Sequence, residues 1–470
     1  MLGVPFLCGR SRACLLRAPG PVIGSIFVFL AQGCATTAGS ASYESARTQY
    51  DHSASPGAAA RPNDGVDGLR ASTLERRAYI RAVLAQNPTI ESARQGWRAA
   101  LSRVRQSGSF DDPMVELGVA PLSIGSSKAP LGYEVGISQR LPWFGKRGFE
   151  ALAASAEADA SKSDYEAMKR ELALSALLLY DQYFVAERAI EINHHHVELM
   201  RVMRDGATVQ FQAGRGSAQD PLQAEAELAH MEHDTAILAS QRDVIIAQMN
   251  ELLHRSPEQP LPPPPQELPM PAVPSSSETE HLEASALANR SEISAARQRA
   301  EAAQARADRA DREYYPDLTV STSYNSMWDM PEHRWMVGLG FNLPIQAEHR
   351  AGAADEARAM RAEFESDAAH LSDAARTQVF VALKQLQESE HVLGLFEKRL
   401  LPVARDQIDA ARAGFIASQN PFLAVVEAEK NLRGIELDYQ MARVECDRHR
   451  AELDRALGRI PGLETEQDKP

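Results

Sequence analysis

The sequence is poor in cysteine, in positive charge and in apolar runs long enough to cross a membrane as a helix. Its 470 residues contain four cysteines, and 50 Lys and Arg stand against 64 Asp and Glu. The formal charge of −14 argues against nucleic acid as a partner, because phosphate binding requires clustered basic side chains. A mean hydropathy of −0.34 excludes a polytopic helical membrane protein.

Motifs for catalysis are also absent from the sequence. It has no nucleophile motif, phosphate-binding glycine loop or cofactor fingerprint, so neither enzymatic activity nor a cofactor is expected. Residues 194–196 are consecutive histidines, which point about 100° apart on a helix and are interpreted as solvated or packed side chains. His230 and His233 are spaced i, i+3 and can hold a divalent ion only with a third ligand, which the sequence does not name.

The amino terminus resembles an export signal. Three arginines precede an apolar stretch at 21–33 that is too short for a permanent membrane helix, which predicts a signal peptide over 1–33. The signal ends at Cys34, which resembles the lipid-bearing cysteine of a bacterial lipobox, although Ala31 stands where Leu is usual. An ordinary cleavage site is the alternative. If Cys34 is acylated, the mature chain keeps only Cys446 as a free thiol and forms no disulfide.

Small polar residues and proline divide the rest of the chain. The segment after Cys34 is rich in Ala, Ser and Gly without apolar periodicity, as is typical of a tether. The stretch "QPLPPPPQELPMP" cannot be helical, because proline lacks an amide donor and clashes with the preceding turn. The predicted organisation is a signal peptide (1–33), a lipid-anchored tether (34–71), a first repeat (72–255), a Pro-rich linker (256–279), a second repeat (280–460) and a C-terminal tail (461–470).

The two halves share landmarks at nearly constant separations, which indicates an internal duplication. The offset is 203 positions near the start of each half, 202 in the middle and 200 near its end. The clearest pairs are Pro113 and Pro316, Gly136 and Gly338, Pro142 and Pro344, Gly214 and Gly414, and Pro221 and Pro421.

Each half reads as helix, strand, strand, long helix, turn and helix. The first helices are predicted at 73–109 and 280–312, and a long helical segment at 346–413 carries apolar or small residues every seven positions. A helix of about 65 residues is ~100 Å long, which no compact domain requires. Pro402 interrupts one backbone hydrogen bond of this segment, so a bend or a change of packing is expected near it.

Four strand-like stretches alternate for the most part between apolar and polar or glycine residues. "YEVGISQRL" at 133–141 and "WMVGLGF" at 335–341 are examples, and their length and period fit transmembrane β-strands. Four strands cannot close a barrel, and an open edge in hydrocarbon leaves backbone groups unpaired. A homotrimer with twelve strands is the smallest solution that gives a pore. A soluble sheet packed on the helices is the alternative, which the Gly and Ser content of the polar face disfavours. The expected fold is therefore mainly α, with long antiparallel helical hairpins and four transmembrane strands per chain.

These features resemble the TolC-like outer-membrane efflux family, whose trimers join a β-barrel to a periplasmic α-helical tunnel. The resemblance covers residues 72 to 460, and "AGRGSAQDPLQAEAE" (213–227) and "AGFIASQNPFLAVVEAE" (413–429) are similar to the family's periplasmic tip turns. "QRLPWFGKRG" (139–148) further resembles the heavy-metal branch, the outer-membrane partners of cobalt-zinc-cadmium and copper-silver pumps.

The resemblance implies site residues at the two turns. Each turn is expected to have a Gly ending one helix and Asp220 or Asn420 as the N-cap of the next. Family members narrow the tunnel with a ring of acids, which Asp220 can supply in the first half, whereas Asn420 lacks the charge. The tunnel-gate candidates are Asp220, Asn420, Glu227 and Glu427, and the adaptor-contact candidates are Gly214, Arg215, Ser217 and Gly414.

The implied function is that of a passive exit channel in the bacterial outer membrane, lipid-anchored at Cys34, with its helical part in the periplasm. Its implied partners are two further copies of the chain, a periplasmic adaptor, an inner-membrane pump of the RND type and outer-membrane lipid. The expected cargo is heavy-metal cations. Export of drugs or organic solutes is the alternative within the family, and a periplasmic coiled-coil adaptor or scaffold lipoprotein is the alternative from another class.

Overall fold

The computed structural model describes residues 37–54, 71–125, 127, 130–270, 273–275, 278–417 and 419–463. Signal residues 1–33, Cys34 and residues 464–470 of the predicted tail lie outside these ranges. The described residues form a mainly helical chain with one small sheet. The helices are α1 (Thr37–Ala54), α2 (Arg76–Gln86), α3 (Pro88–Ser107), α4 (Lys146–Gln212), α5 (Gln219–Leu252), α6 (Thr279–Asn289), α7 (Ser291–Arg312), α8 (Ala347–Leu395), α9 (Leu401–Ile416) and α10 (Phe422–Ala456). The strands are β1 (Met114–Val119), β2 (Tyr133–Leu141), β3 (Leu318–Asn325) and β4 (Trp335–Phe341).

The element order repeats, as the duplication predicts. α2, α3, β1, β2, α4 and α5 of the first half correspond to α6, α7, β3, β4, α8 with α9, and α10 of the second. None of the helices in the described ranges combines the length and apolar composition of a membrane-crossing helix.

The expected tether differs from the structure over 37–54, where the chain forms α1. Tyr43, Ala46 and Tyr50 are spaced i, i+3 and i+7, so they share one helical face. Tyr50 is buried against Trp97 of α3, with the two rings perpendicular at a centroid distance of 5.1 Å. A narrow stripe of three side chains is enough to dock this helix, although its composition suggested irregular structure.

The first helix of each repeat is broken, where a continuous helix was expected at 73–109 and at 280–312. In the first repeat α2 ends before Asn87, whose side chain accepts a hydrogen bond from the Thr89 amide at 2.9 Å and begins α3. Pro88 occupies the first position of α3, where no amide partner is lost. In the second repeat the extended backbone of Arg290 separates α6 from α7.

The predicted change of packing near Pro402 is confirmed. A π-helical segment, Phe396–Leu400, separates α8 from α9 and ends two residues before the proline. The proline ring would clash with the carbonyl four residues earlier in a regular α-helix, so one extra residue in the turn relieves the clash.

The four strands form one antiparallel sheet in the order β1-β2-β3-β4. β2 of the first repeat pairs with β3 of the second through eight residue pairs, from Glu134 with Asn325 to Leu141 with Leu318. The sheet is thus a single wall built from both repeats, and β1 and β4 form its two edges.

The largest apolar core lies away from the sheet, where α2 and α4 meet the Pro-rich linker. Tyr79, Tyr180 and Phe184 are fully buried there, together with Leu261 and Leu268 of the linker. The linker is therefore packed. The Asn250 side-chain amide donates hydrogen bonds to the carbonyls of Pro257 and Gln259 at 3.2 and 2.7 Å and fixes the linker's start.

Gly458, directly after α10, is a position where the backbone requires glycine. Its φ is +77°, and a Cβ atom there would lie 2.7 Å from the carbonyl oxygen of Asn289 at the end of α6. We expect Gly458→Ala to lower the free energy of unfolding by about 2 kcal/mol, from left-handed strain and from this clash. Thermal unfolding in detergent measures the change.

Gly434→Ala is the matched control, because Gly434 lies inside α10 with open space around its α-carbon. This substitution should raise stability by about 0.5 kcal/mol, since glycine is a poor helix former. Equal effects of the two changes would contradict the proposed role of Gly458.

Candidate functional site: the sheet wall and the helical turns

One face of the sheet is apolar and exposed to solvent in the single chain. The register places Val115 opposite Ile137 and Val320 opposite Leu339, so the apolar positions of neighbouring strands adjoin. Leu117 is 76% exposed and Val337 is 83% exposed, values that a soluble sheet packed on helices would not show. The face comprises Val115, Leu117, Val119, Tyr133, Val135, Ile137, Leu141, Leu318, Val320, Tyr324, Trp335, Val337, Leu339 and Phe341, with Gln139 and Thr322 as its polar members.

The opposite face is polar and lined with small residues. Gly136 lies between Glu116 and Ser323, and Ser321 lies opposite Gly338. A Cβ atom at Gly338 would lie 2.5 Å from the Ser321 hydroxyl oxygen, so a larger residue there would displace this hydroxyl from its rotamer. The alternation of faces predicted from sequence is thus present in all four strands.

Aromatic side chains mark both ends of this wall. At the loop end, Tyr324 contacts Trp335 with ring centroids 5.3 Å apart. At the helix end, Trp143 stacks on Tyr315 at 5.5 Å with the rings nearly parallel. Two aromatic rows about one strand length apart are the pattern of an interfacial girdle.

Lys146, the first residue of α4, joins the sheet to the helices in a buried ion cluster. Its ammonium group lies 2.8 Å from an Asp317 carboxylate oxygen and 3.1 Å from a Glu313 oxygen. Arg140 donates to the other Asp317 oxygen at 2.6 Å, and the Trp143 amide donates to Asp317 at 3.0 Å. The cluster ties the first repeat to the second at the base of the sheet.

The charge of Asp317 is stabilised by these donors. Burial alone raises the pKa of Asp317, but hydrogen bonds from Lys146, Arg140 and the Trp143 amide outweigh it and hold the pKa at about 2. The carboxylate therefore contributes stability above pH ~4, and this contribution is lost as the pH falls towards 2.

The turn between α4 and α5 carries four of the predicted site residues. Gly214 has a φ of +70° and ends α4, and the Arg215 amide donates to the Gln210 carbonyl at 2.9 Å. α5 begins at Gln219, so Asp220 lies within its first turn and is not the N-cap. Its carboxylate accepts the Ser217 amide at 3.1 Å, which closes the turn. Arg215 and Ser217 are exposed.

The turn between α9 and α10 has a different geometry. Gly414 lies inside α9 and does not end it as expected, and its carbonyl accepts the amides of Gln419 and Asn420 at 2.7 and 3.1 Å. A Cβ atom at Gly414 would overlap the Asn420 side chain, so glycine allows the close approach. α10 begins at Phe422, two residues after Asn420. Glu427 is exposed on α10.

Glu227 differs from the expectation of a lumen charge, because its side chain is only 5% exposed. It lies between the two repeats, 2.6 Å from the Lys430 ammonium and 3.8 Å from Arg433 of α10. Arg433 also donates to the Asn193 side chain of α4 at 3.0 Å. The first glutamate of the repeated motif is therefore a contact between hairpins, whereas its counterpart Glu427 faces solvent.

Another buried ion contact joins the repeats near the main core. Arg76 of α2 lies 3.6 Å from Asp181 of α4 and 3.2 Å from Asp447 of α10. Burial raises the pKa of both aspartates, and the neighbouring guanidinium opposes that rise.

The histidines separate into exposed and buried members. His194, His195, His230 and His233 are exposed, and no group of three or more metal-ligating side chains occurs among the described residues. His196 is 1% exposed and bonded to Glu429 and Glu436 of α10 through its two ring nitrogens. Its burial could have been read from its helical spacing, i and i+4, with the core residue Met200. Its carboxylate partners, more than 230 positions away, gave no local signal.

Comparison with known proteins supports this architecture. Residues 282–459 match the family described as "Outer membrane efflux protein". The cobalt-zinc-cadmium resistance protein CzcC of Cupriavidus metallidurans is 22% identical over 320 residues, which cover 67% of this chain and 74% of CzcC.

Solved structures share the fold at low sequence identity. CusC matches with a TM-score of 0.71 and 17% identity over 82% of this chain and 92% of its own. The outer membrane protein VceC of Vibrio cholerae matches with a TM-score of 0.68 and 18% identity, over 82% of this chain and 96% of VceC. The open-state MtrE outer membrane channel of Neisseria gonorrhoeae matches with a TM-score of 0.62 and 18% identity, over 82% of this chain and 89% of MtrE.

The described chain has the fold of the solved structures CusC, VceC and MtrE. The match to the outer membrane efflux protein family covers residues 282–459, within the second repeat, and together with the shared fold it confirms the resemblance drawn from the sequence.

The Lys146 cluster can be tested by removing its central cation. Lys146→Met leaves the buried carboxylate of Asp317 without its closest ammonium partner, so we expect a loss of about 3 kcal/mol in the free energy of unfolding. Thermal and denaturant unfolding followed by circular dichroism measure it. Arg376→Met, which removes an exposed pair with Asp373, should change stability by less than about 0.5 kcal/mol. Similar losses in both variants would show that the cluster contributes no more to stability than an exposed ion pair does.

Proposed function

We propose that the protein is a trimeric outer-membrane channel that passively conducts substrates from the periplasm to the exterior. The observation that carries the proposal is the exposed apolar face of the sheet, whose two edge strands each pair on one side only within the described part of the chain. Two further copies can pair with these edges and close a twelve-stranded barrel, with the apolar face towards lipid and the Gly- and Ser-rich face towards the lumen.

The helical hairpins extend the proposed channel into the periplasm, where an adaptor and an RND-type pump are the proposed partners. Exposed Arg215 and Ser217, beside Gly214, support adaptor contact at the first turn, with Gly414 as the candidate at the second. Glu427 and Asp220 are the proposed acidic gate residues. Asn420 lacks charge and Glu227 is ion-paired, so the proposed gate has fewer free acids than the duplicated motif suggests.

The proposed anchor is a lipid on Cys34, after removal of residues 1–33 as a signal. The repeats are proposed to span 72–255 and 280–460, joined by the linker 256–279, with 461–470 as a tail. The apolar stretch before Cys34 and the lipobox resemblance support the anchor. Mass spectrometry of the mature N-terminal peptide distinguishes an acylated Cys34 from an ordinary cleavage product.

The proposed cargo is heavy-metal cations. The similarity to a cobalt-zinc-cadmium resistance protein and the net negative charge of the chain support this choice. Drugs or organic solutes are the alternative cargo, since the fold shared with CusC, VceC and MtrE at 17–18% identity does not specify what is conducted. A periplasmic adaptor or scaffold lipoprotein accounts for the helices but gives no role to the exposed apolar sheet.

Membrane insertion of the sheet can be tested with two neighbouring residues of β4. Val337→Arg places a charge on the lipid-facing side, at a cost of about 2–4 kcal/mol near the bilayer centre, and should abolish outer-membrane trimers. Met336→Arg is the control, because Met336 lies on the opposite face and its charge would enter the lumen. Membrane fractionation and mass measurement of the detergent-solubilised protein decide the result. A wild-type protein that is monomeric without detergent would exclude the channel.

The cargo can be tested by deleting the gene and measuring susceptibility to cobalt, zinc, cadmium, copper, silver and a panel of drugs. We expect at least a several-fold loss of metal tolerance, restored by the wild-type gene and by Met336→Arg but not by Val337→Arg. Loss of drug tolerance with unchanged metal tolerance would favour the alternative cargo.

A further inference from the structure

His196 lies at a contact between the two repeats that is separate from the sheet and from the helical turns. It is on α4, and both of its ring nitrogens bond to carboxylates of α10: Nδ1 to Glu429, and Nε2 to Glu436 at 2.9 Å. The imidazole is 1% exposed and Glu429 is fully buried, so water cannot replace Glu429 without separation of the helices, whereas Glu436 is 21% exposed.

This geometry constrains the protonation state of the ring. A carboxylate is only an acceptor, and a neutral imidazole has a single N–H group. Donation to two carboxylates therefore requires the imidazolium form, with a proton on each nitrogen. Burial alone lowers the pKa of His196, but the hydrogen bonds and charges of Glu429 and Glu436 outweigh it and raise the pKa to about 9.

The surrounding charges leave the two carboxylates dependent on this proton. From α9, Arg412 lies 3.5 Å from Glu429 and Arg405 lies 3.6 Å from Glu436. Both distances are longer than the histidine contacts, and Arg405 is largely exposed.

Other charged groups near the ring already have partners. On the side of α5, Arg433 of α10 pairs with Asp234 at 3.3 Å and with Glu227. On α4 itself, the exposed His195 ring contacts His196. Within this network, His196 is the only cation bonded to both Glu429 and Glu436.

We propose that protonated His196 is a clasp that holds the α9–α10 hairpin of the second repeat against α4 of the first, and that loss of its proton releases the hairpin. In the neutral state one nitrogen presents a lone pair to a carboxylate. Hydration of Glu429 then favours conformations in which α10 separates from α4.

The direction of the pH dependence follows from the raised pKa. The clasp contributes stability fully below pH ~6.5, the ordinary value for histidine, and this contribution is lost as the pH rises through about 9. If the chain is the proposed channel, release of the hairpin loosens the helical tunnel near its turn, so alkaline pH increases conductance.

The test is hydrogen–deuterium exchange of the full-length protein in detergent, from pH 6 to pH 10 and corrected for intrinsic exchange rates. His196→Gln should speed exchange across 422–436 at least tenfold at pH 7. The wild type should be protected at pH 7 and reach the variant's rate by pH 10. His194→Gln, an exposed neighbour on the same helix, should match the wild type.

A second variant separates a proton-linked clasp from simple packing. Glu436→Gln leaves one carboxylate, which a neutral ring can satisfy with its single N–H, so the midpoint of the wild-type transition should fall by more than one pH unit. This comparison still decides the matter if His196→Gln does not fold. Protection that is independent of pH in the wild type, or the same midpoint in Glu436→Gln, would overturn the clasp.

Bilayer conductance of the same proteins keeps the two proposals distinct. If exchange responds to pH as expected and conductance rises with it, both the clasp and its role in the channel are supported. A wild type that conducts at no pH would reject the channel, while the exchange profiles would still decide the clasp.

Discussion

The structure depends on a hydrogen-bonding constraint at the edges of its sheet. β1 and β4 each present a row of backbone groups without partners in the described chain, beside a face of exposed apolar side chains. In lipid each unpaired group costs several kcal/mol, and in water the apolar face is an aggregation hazard. The proposed pairing of these edges with other copies of the chain in a membrane would remove both problems.

Buried charges, more than apolar surface, make the contacts between the repeats specific. Apolar helical faces from a duplicated sequence can pack in more than one register, whereas a buried ion that loses its partner is costly, about 3–5 kcal/mol. A helix of one repeat can therefore pack against a helix of the other in only a few positions that keep these buried charges paired. The contacts are Lys146 with Asp317, Arg76 with Asp447, Glu227 with Lys430, and His196 with Glu429 and Glu436.

The two repeats keep the same order of elements, but residues at matching positions have different structural roles. Gly214 ends a helix in the left-handed conformation, while Gly414 lies inside a helix to admit the side chain of Asn420. Glu227 is buried in an ion pair, and Glu427 at the matching position is exposed. The two hairpins therefore have different roles in the chain, and a site residue in one repeat cannot be assigned by copying it from the other.

The sequence by itself determined the features that repeat over short distances. Alternation defined the two faces of each strand, seven-residue spacing defined the long helices, and Pro402 marked the change of packing at 396–400, because these signals act through neighbouring backbone atoms. The docking of α1 through Tyr50, the break at Arg290 and the partners of His196 were decided by tertiary structure. Those features depend on groups far apart in the chain, whose burial and pairing exist only once the helices are packed.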